Sequence, residues 1–154
     1  MSNLHEKNIL KNISQNNRAY YDYFIEDIYE AGIVLTGTEV KSLRSGKISI
    51  AESHADEIDG EIFLLNANIP EYMEANRYNH YPKRPRKLLL HANEIRKLIG
   101  LIKRKGYTLV PIAIYFNKKN KVKVALGLGR GKKNYDKRET IKEREWQRQK
   151  SRME

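Results

Sequence analysis

The chain has 154 residues, 30 Lys/Arg against 19 Asp/Glu, a formal net charge of +11 and no cysteine. That length holds one domain with a real core plus a tail, and the lack of cysteine excludes disulfides and cysteine-rich zinc sites and fits a reducing compartment. No apolar run approaches the ~18 residues of a membrane span, and the opening MSNLHEKNILKN lacks the apolar block of a secretion signal, so a cytoplasmic setting is expected.

In chain order, Met1 to Glu6 is polar and reads as loose, and Lys7 to Ile13 alternates weakly, as a short first strand would. Ser14 to Arg18 is a turn signal, and Ala19 to Tyr29, rich in aromatic and β-branched residues, reads as a strand. Thr38 to Arg44 reads as a short helix with Thr38 as N-cap, Glu39 in its first turn, Val40 and Leu43 on one side and Gly46 as terminator. Ile48 to Ile58 and Glu61 to Ile69 flank Asp59-Gly60, a two-residue hairpin signal. Glu71 to Pro85 lacks periodicity, carries Tyr72, Tyr78, His80 and Tyr81, and reads as a long functional loop. Ile95, Leu98, Ile99 and Ile102 recur at helical spacing behind a possible Asn93 cap, and Gly106 closes that helix. Tyr107 to Phe116 and Lys121 to Leu128 form a second hairpin. In its return strand Val122, Val124, Leu126 and Leu128 face one way and Lys121, Lys123, Ala125 and Gly127 the other, which predicts an apolar inside and a basic outside.

About six strands, one amphipathic helix and one or two short ones predict a mainly β protein. The expected fold is a small antiparallel β-barrel of the oligonucleotide-binding type with two or three short helices. The expected boundary lies near Gly129, giving a barrel domain over 1–129 and a basic C-terminal tail over 130–154. After Gly131 the large apolar residues are Tyr135, Ile141, Trp146 and Met153. Ile141 and Trp146 would lie about 140° apart on a helix, so they make no core-facing stripe. Charges at helical spacing (Glu139, Lys142, Glu145, Arg148) and a capping box from Asp136 to Glu139 still favour a helix. A helix with nothing to pack against is expected to stay disordered until a partner supplies the other surface.

Charge is segregated along the chain. Residues 1–82 hold seven Lys/Arg against thirteen Asp/Glu, 83–105 nine against one, 106–129 four against none, and 130–154 ten against five. A basic half joined to a mildly acidic one points to a polyanion bound on one side; a solvated face would mix both signs. Lys121 and Lys123 can contact successive phosphates. Glycines at 127, 129 and 131 would admit an RNA backbone or simply loosen the exit of the chain. Glu39, Lys41 and Arg44 on the short helix could hold a phosphate, with helix-dipole stabilisation the plainer reading of Glu39. The loop tyrosines could stack on unpaired bases.

Signatures of catalysis are missing. The histidines have no H-x-x-x-H or H-E-x-x-H spacing, there is no G-x-S-x-G, and GLGRGKK does not follow the order of a P-loop. No catalytic residue, metal, cofactor or small-molecule substrate is expected, and no membrane partner.

Five blocks carry a resemblance: NNRAYYDYFIEDIYEAGIVLTGTEVKSLRSGK, KRPRKLLLHANEI, KGYTLVPIAIYF, KVKVALGLGRGKK and DKRETIKEREWQ. They lie in order from about Asn16 to Gln147, and together they resemble the family of small protein B, the SsrA-binding proteins. The resemblance implies a non-enzymatic RNA-binding adaptor of the bacterial cytoplasm. Its barrel would bind the tRNA-like domain of transfer-messenger RNA (SsrA RNA), filling part of the space of a tRNA anticodon arm. It would deliver that RNA to stalled 70S ribosomes for trans-translation. The tail would fold as a helix in the empty messenger channel of the small subunit and probe the decoding centre. Asn16, Glu30, Leu89 and Lys121 match family positions linked to RNA binding. Asp136, Lys137 and Arg138 match the tail motif needed on the ribosome, and Lys132, Lys133, Lys142, Arg144 and Trp146 match its basic and aromatic positions. Tyr135 stands where several relatives have histidine, and either ring could stack on a decoding-centre base. Two other classes stay open on residues alone: a structural ribosomal protein whose basic tail threads ribosomal RNA, and an RNA-modifying enzyme or nuclease.

Overall fold

The computed structural model describes residues 8–74 and 78–153, with no side-chain description for 134, 135 and 153. The chain builds strands β1 (Ile9–Gln15), β2 (Tyr23–Ile33), β3 (His54–Ile58), β4 (Glu61–Leu65), β5 (Arg86–Leu89), β6 (Thr108–Asn117) and β7 (Val122–Gly131). Helices α1 (Ala19–Asp22), α2 (Gly37–Arg44), α3 (Ala92–Lys105) and α4 (Asn134–Met153) complete it. Neighbouring strands pair in the order β1-β6-β3-β4-β5-β2-β7, and β6 also pairs with β7. The ring β6-β3-β4-β5-β2-β7 therefore closes on itself, and β1 lies along the far half of β6. Every pairing is antiparallel. This is the expected small antiparallel barrel, with seven strands in place of about six. The expected loose segment Met1 to Glu6 lies outside the described residues.

Local chemistry explains where boundaries moved. The expected strand from Ala19 starts instead at Tyr23, because Asn16 opens a helical turn. Its carbonyl accepts from the Ala19 N–H at 3.2 Å, and its Oδ1 accepts from the Arg18 N–H at 3.2 Å. Thr36, two residues before the expected cap, starts α2. Its Oγ1 accepts from the Glu39 N–H at 3.4 Å while its own N–H donates to Glu39 Oε1 at 2.8 Å, a reciprocal capping box. The Asp59-Gly60 hairpin forms as expected, with φ of 51° and 81° at its two turn residues, the left-handed pair such a turn needs. Its arms are shorter than their apolar runs; beyond them Ser49 and Asn68 make an isolated bridge. In α3 the cap is His91 rather than Asn93, and Gly106 closes the helix at φ 68°. β5 was hidden in the basic run at the end of the expected loop, a strand of four residues.

Two cores hold the molecule together. Inside the barrel, Ala31, Ile62, Leu64, Leu88, Leu109, Ile114, Val124 and Leu126 are buried, and Leu98 of α3 is buried in the same cluster. Each fully buried Leu or Ile contributes roughly 1.5–3 kcal/mol. The second core lies on the other side of β6 and β7, where Ala19, Val110, Ile112, Ala113, Tyr115 and Ala125 pack with Ile9, Tyr23, Ile25 and Ile28. This corrects the expected basic outside of β7. From Ala125 to Gly129 that face is covered by protein, and its Lys121–Lys123 end is basic. Gly127 and Gly129 serve this packing rather than an RNA approach: a Cβ on Gly127 would come within 2.8 Å of Ile112 Cδ1, and one on Gly129 would overlap the Phe24 carbonyl.

Candidate nucleic-acid interface

Strand register assembles the site at one end of the barrel. Gly32 on β2 pairs with Leu89 on β5 and with Lys123 on β7, and Lys123 pairs in turn with Tyr115 on β6. Gly32 has no side chain, so this row has a low point. A Cβ there would lie 3.3 Å from Leu89 Cβ and 3.7 Å from Lys123 Nζ. Leu89 is 50% exposed beside it. The result is a bare stretch of backbone with an apolar side chain on one flank and an ammonium on the other. That combination suits a sugar or base edge with its phosphate nearby.

Glu30 stands next to this row, exposed on β2. The Tyr115 hydroxyl donates to one of its oxygens in a very short hydrogen bond. Asn8 Nδ2 donates to the same carboxylate at 3.3 Å, and the Asn8 carbonyl accepts from the Lys118 N–H at 3.0 Å. Burial, followed by the bond to Glu30, pushes the Tyr115 hydroxyl well above its ordinary pKa, so it remains a donor. A carboxylate held by two donors keeps lone pairs for a ligand's hydroxyl or amino group. Lys121 closes the patch, exposed at the end of the β6–β7 turn where Asn117 Oδ1 accepts from its backbone N–H at 2.9 Å.

Glu30, Leu89, Lys121 and Lys123, separated in sequence, are thus brought to one end of the barrel. Asn16 and Glu39 are not part of that patch. Asn16 is buried at the corner before α1, where its Nδ2 donates to the Pro111 carbonyl at 3.3 Å. Its amide is committed to shaping the turn. Glu39 is fully buried: Arg84 donates to one oxygen at 2.6 Å and Arg86 to the other. Burial alone would raise its pKa, but the bonds from Arg84, the Thr36 N–H and Arg86 outweigh that and hold the carboxyl below the usual range. Arg86, itself buried, also donates to the carbonyls of Ala67 at 2.8 Å and Pro82 at 2.9 Å. Glu39 therefore anchors the long loop to α2, and the phosphate-holding trio on α2 reduces to the exposed Lys41 and Arg44. Lys41 lies over the Tyr72 ring at 5.6 Å.

In the loop, Tyr78 and Tyr81 are exposed, as stacking would require, whereas His80 is buried between Thr38 Oγ1 at 2.9 Å and the Ile69 carbonyl at 2.8 Å. His80 is a structural brace.

The tail begins with Lys132, whose N–H donates to the Asp22 carbonyl at 2.8 Å. Its ammonium donates to the Tyr20 carbonyl at 3.0 Å and to Thr140 Oγ1 at 2.8 Å. Lys137 pairs with Asp22 at 3.5 Å. Asp136, the expected cap, accepts from the Lys133 N–H at 3.3 Å. Arg138, Lys142, Arg144 and Trp146 are exposed on α4, and the Tyr135 side chain lies outside the described residues. Among the described residues, no group of three or more His, Cys, Asp or Glu is placed to hold a metal ion, and no helix is long and apolar enough to cross a membrane.

Sequence reasoning alone missed Gly32, Tyr115 and Asn8, whose roles depend on cross-strand register. A glycine two residues after a site glutamate, just beyond the end of the expected strand, was the only hint.

Comparison with known proteins places these features in a family. The model of the SmpB protein family matches residues 13–154. The SsrA-binding protein of Rickettsia prowazekii (strain Madrid E) is 62% identical over 143 residues, covering 93% of this chain and 94% of its own. That of Afipia carboxidovorans is 58% identical over 144 residues, covering 94% and 92%. A chain of the solved structure "tmRNA-SmpB: a journey to the center of the bacterial ribosome" superposes with a TM-score of 0.63 at 51% identity, covering 82% of this chain and 85% of that one.

Proposed function

The chain belongs to the SmpB protein family, and on that premise we propose that it binds transfer-messenger RNA and delivers it to stalled ribosomes for trans-translation, acting as an adaptor without chemistry of its own. The observation that carries this reading is the convergence of Glu30, Leu89 and Lys123 around the bare backbone of Gly32. That patch is the surface for the tRNA-like domain of the RNA, with Lys121 supplying a further phosphate contact. The exposed loop tyrosines and Lys41 would supply separate contacts to single-stranded bases. Tail residues from Lys132 and Lys133 to Trp146, including Asp136, Lys137 and Arg138, address the decoding centre and the empty messenger channel.

No codon is needed in this arrangement, because the barrel takes space an anticodon arm would take and the tail occupies the vacant message path. Residues 1–129 and 130–154 would act as two units of function, the second ordered by its ribosomal partner. Cytoplasmic residence follows from that partner.

The test is to isolate the full-length protein from cells and sequence the RNA that travels with it. One dominant transfer-messenger species is the expected result. Ribosomal RNA at unit stoichiometry on salt-washed ribosomes would instead mark a structural ribosomal protein.

A further inference from the structure

The tail helix is not suspended in solvent in this structure; its first turns sit on α1. Lys137 lies over the Tyr21 ring at 5.8 Å and pairs with Asp22 at 3.5 Å, and Arg144 lies over the same ring at 5.8 Å. Between them Thr140 Oγ1 receives the Lys132 ammonium at 2.8 Å, while that ammonium also holds the Tyr20 carbonyl at 3.0 Å and lies over the Phe24 ring at 4.9 Å. Residues 137, 140 and 144 are spaced i, i+3, i+7, so they occupy one side of α4. At about 100° per residue, residues 138, 142 and 146 cluster on a second side roughly 170° away. Arg138, Lys142 and Trp146 are all exposed.

We propose that Tyr21 and Asp22 of α1, with Thr140 of α4, are positioning residues: they fix the rotation of the tail helix about its own axis and the direction in which it leaves the barrel, so that Arg138, Lys142 and Trp146 form the face presented to ribosomal RNA. This deepens the adaptor reading and rests on the tail's engaging the ribosome. It also divides the tail cations between two tasks. Before the ribosome is engaged, Lys137 and the exposed Arg144 hold the helix to its shelf through Tyr21 and Asp22, while Arg138 and Lys142 lie on the opposite side. The outward face joins two cations to an indole at i, i+4, i+8 spacing, the combination of phosphate contact and ring stacking that single-stranded RNA accepts. A tail that has already chosen its rotation loses less freedom when it enters a channel, and the productive fraction scales the apparent affinity directly.

The sole tryptophan of the chain is Trp146, which makes the test spectroscopic as well as functional. Time-resolved anisotropy of Trp146 is measured in the full-length protein, together with transfer-messenger RNA affinity and peptide tagging on stalled ribosomes. In the unsubstituted protein a large part of the anisotropy should decay with tumbling of the whole molecule. Tyr21→Ala should convert it to fast segmental motion and lower tagging roughly five- to thirtyfold, the product of two cation–ring contacts, with RNA affinity changed less than about twofold. Tyr21→Phe, which keeps the ring face, should retain both the anisotropy and the tagging. Thr140→Val lies on the helix surface outside both cores and cannot unfold the barrel; it should loosen Trp146 and lower tagging roughly two- to fivefold by removing the acceptor for Lys132. Equal Trp146 mobility before and after Tyr21→Ala, unchanged tagging, or a Tyr21→Phe protein as defective as Tyr21→Ala would each overturn the proposal. Failure of the adaptor reading looks different: there, joint alanine substitution of Asp136, Lys137 and Arg138 would leave tagging intact.

Discussion

Two glutamates on a basic protein have opposite surroundings. Glu39 lies fully buried between Arg84 and Arg86, so Glu39→Ala leaves the buried Arg86 charge uncompensated and should cost about 3–5 kcal/mol in urea unfolding. Because its folded-state pKa is depressed, its contribution is complete above the unfolded value of about 4.3 and is lost as pH falls through the lower folded value. The acid limb of the stability profile should therefore flatten in Glu39→Gln. Glu30, exposed and held by Tyr115 and Asn8, is available to a ligand. Its neighbour Gly32 gives a sharper test of the site. Gly32→Val would raise a side chain against Leu89 and Lys123. It should weaken transfer-messenger RNA binding roughly tenfold or more while melting stays within a few degrees. An unchanged affinity would place the RNA elsewhere. The sequence discloses Glu30 and Leu89 only through family likeness, since charge counting passes over both. It conceals Glu39's true task because the partners Arg84 and Arg86 come from a segment that reads as loop.

Elements with their own periodicity were legible: α3, with its apolar i, i+3, i+4, i+7 stripe, and the hairpins at Asp59-Gly60 and Asn117–Asn120. β5 was not, because its four residues are too few to alternate visibly and two are basic. α1 was not, because its Tyr-rich composition favours a strand while the Asn16 turn and the burial of Ala19 select a helical turn. The second core was likewise invisible, since the glycines at 127 and 129 suggest looseness until the Ile112, Ile25 and Phe24 atoms above them are seen. Gly129→Ala should destabilise the protein by about 1–3 kcal/mol through overpacking in denaturant titration. Gly131→Ala, with nothing within 4 Å of the added Cβ, should cost under about 0.5 kcal/mol. At α4 the contacts to α1 are one half-buried ion pair and two cation–ring contacts, worth about 0.5–1 kcal/mol each. Such docking is marginal, which reconciles a helix seated on its shelf with a tail that a ribosome can still redirect. Amide exchange should show β6 and β7 protected near the global limit and α4 protected weakly, least beyond Arg144.

Across the whole molecule, positive charge is concentrated after residue 82; folding puts part of it on α3 and the loop before β5, and the cations of the candidate site at two separate places. Lys121 and Lys123 end up at the barrel patch proposed for RNA, and the tail cations leave from the opposite end of β7. Binding of transfer-messenger RNA should weaken steeply with salt, each phosphate contact adding about 0.7–0.9 to the log–log slope, and Lys121→Ala should lower that slope by about one contact. The barrel patch and the tail should act separately, which transfer-messenger RNA affinity and peptide tagging, measured side by side in two variants of the full chain, would show. Glu30→Ala with Lys121→Ala should lower RNA affinity, and tagging with it. Joint alanine substitution of Asp136, Lys137 and Arg138 should leave RNA affinity within about twofold and abolish tagging. Equal loss of RNA affinity in both variants would mean that the patch and the tail form one RNA surface.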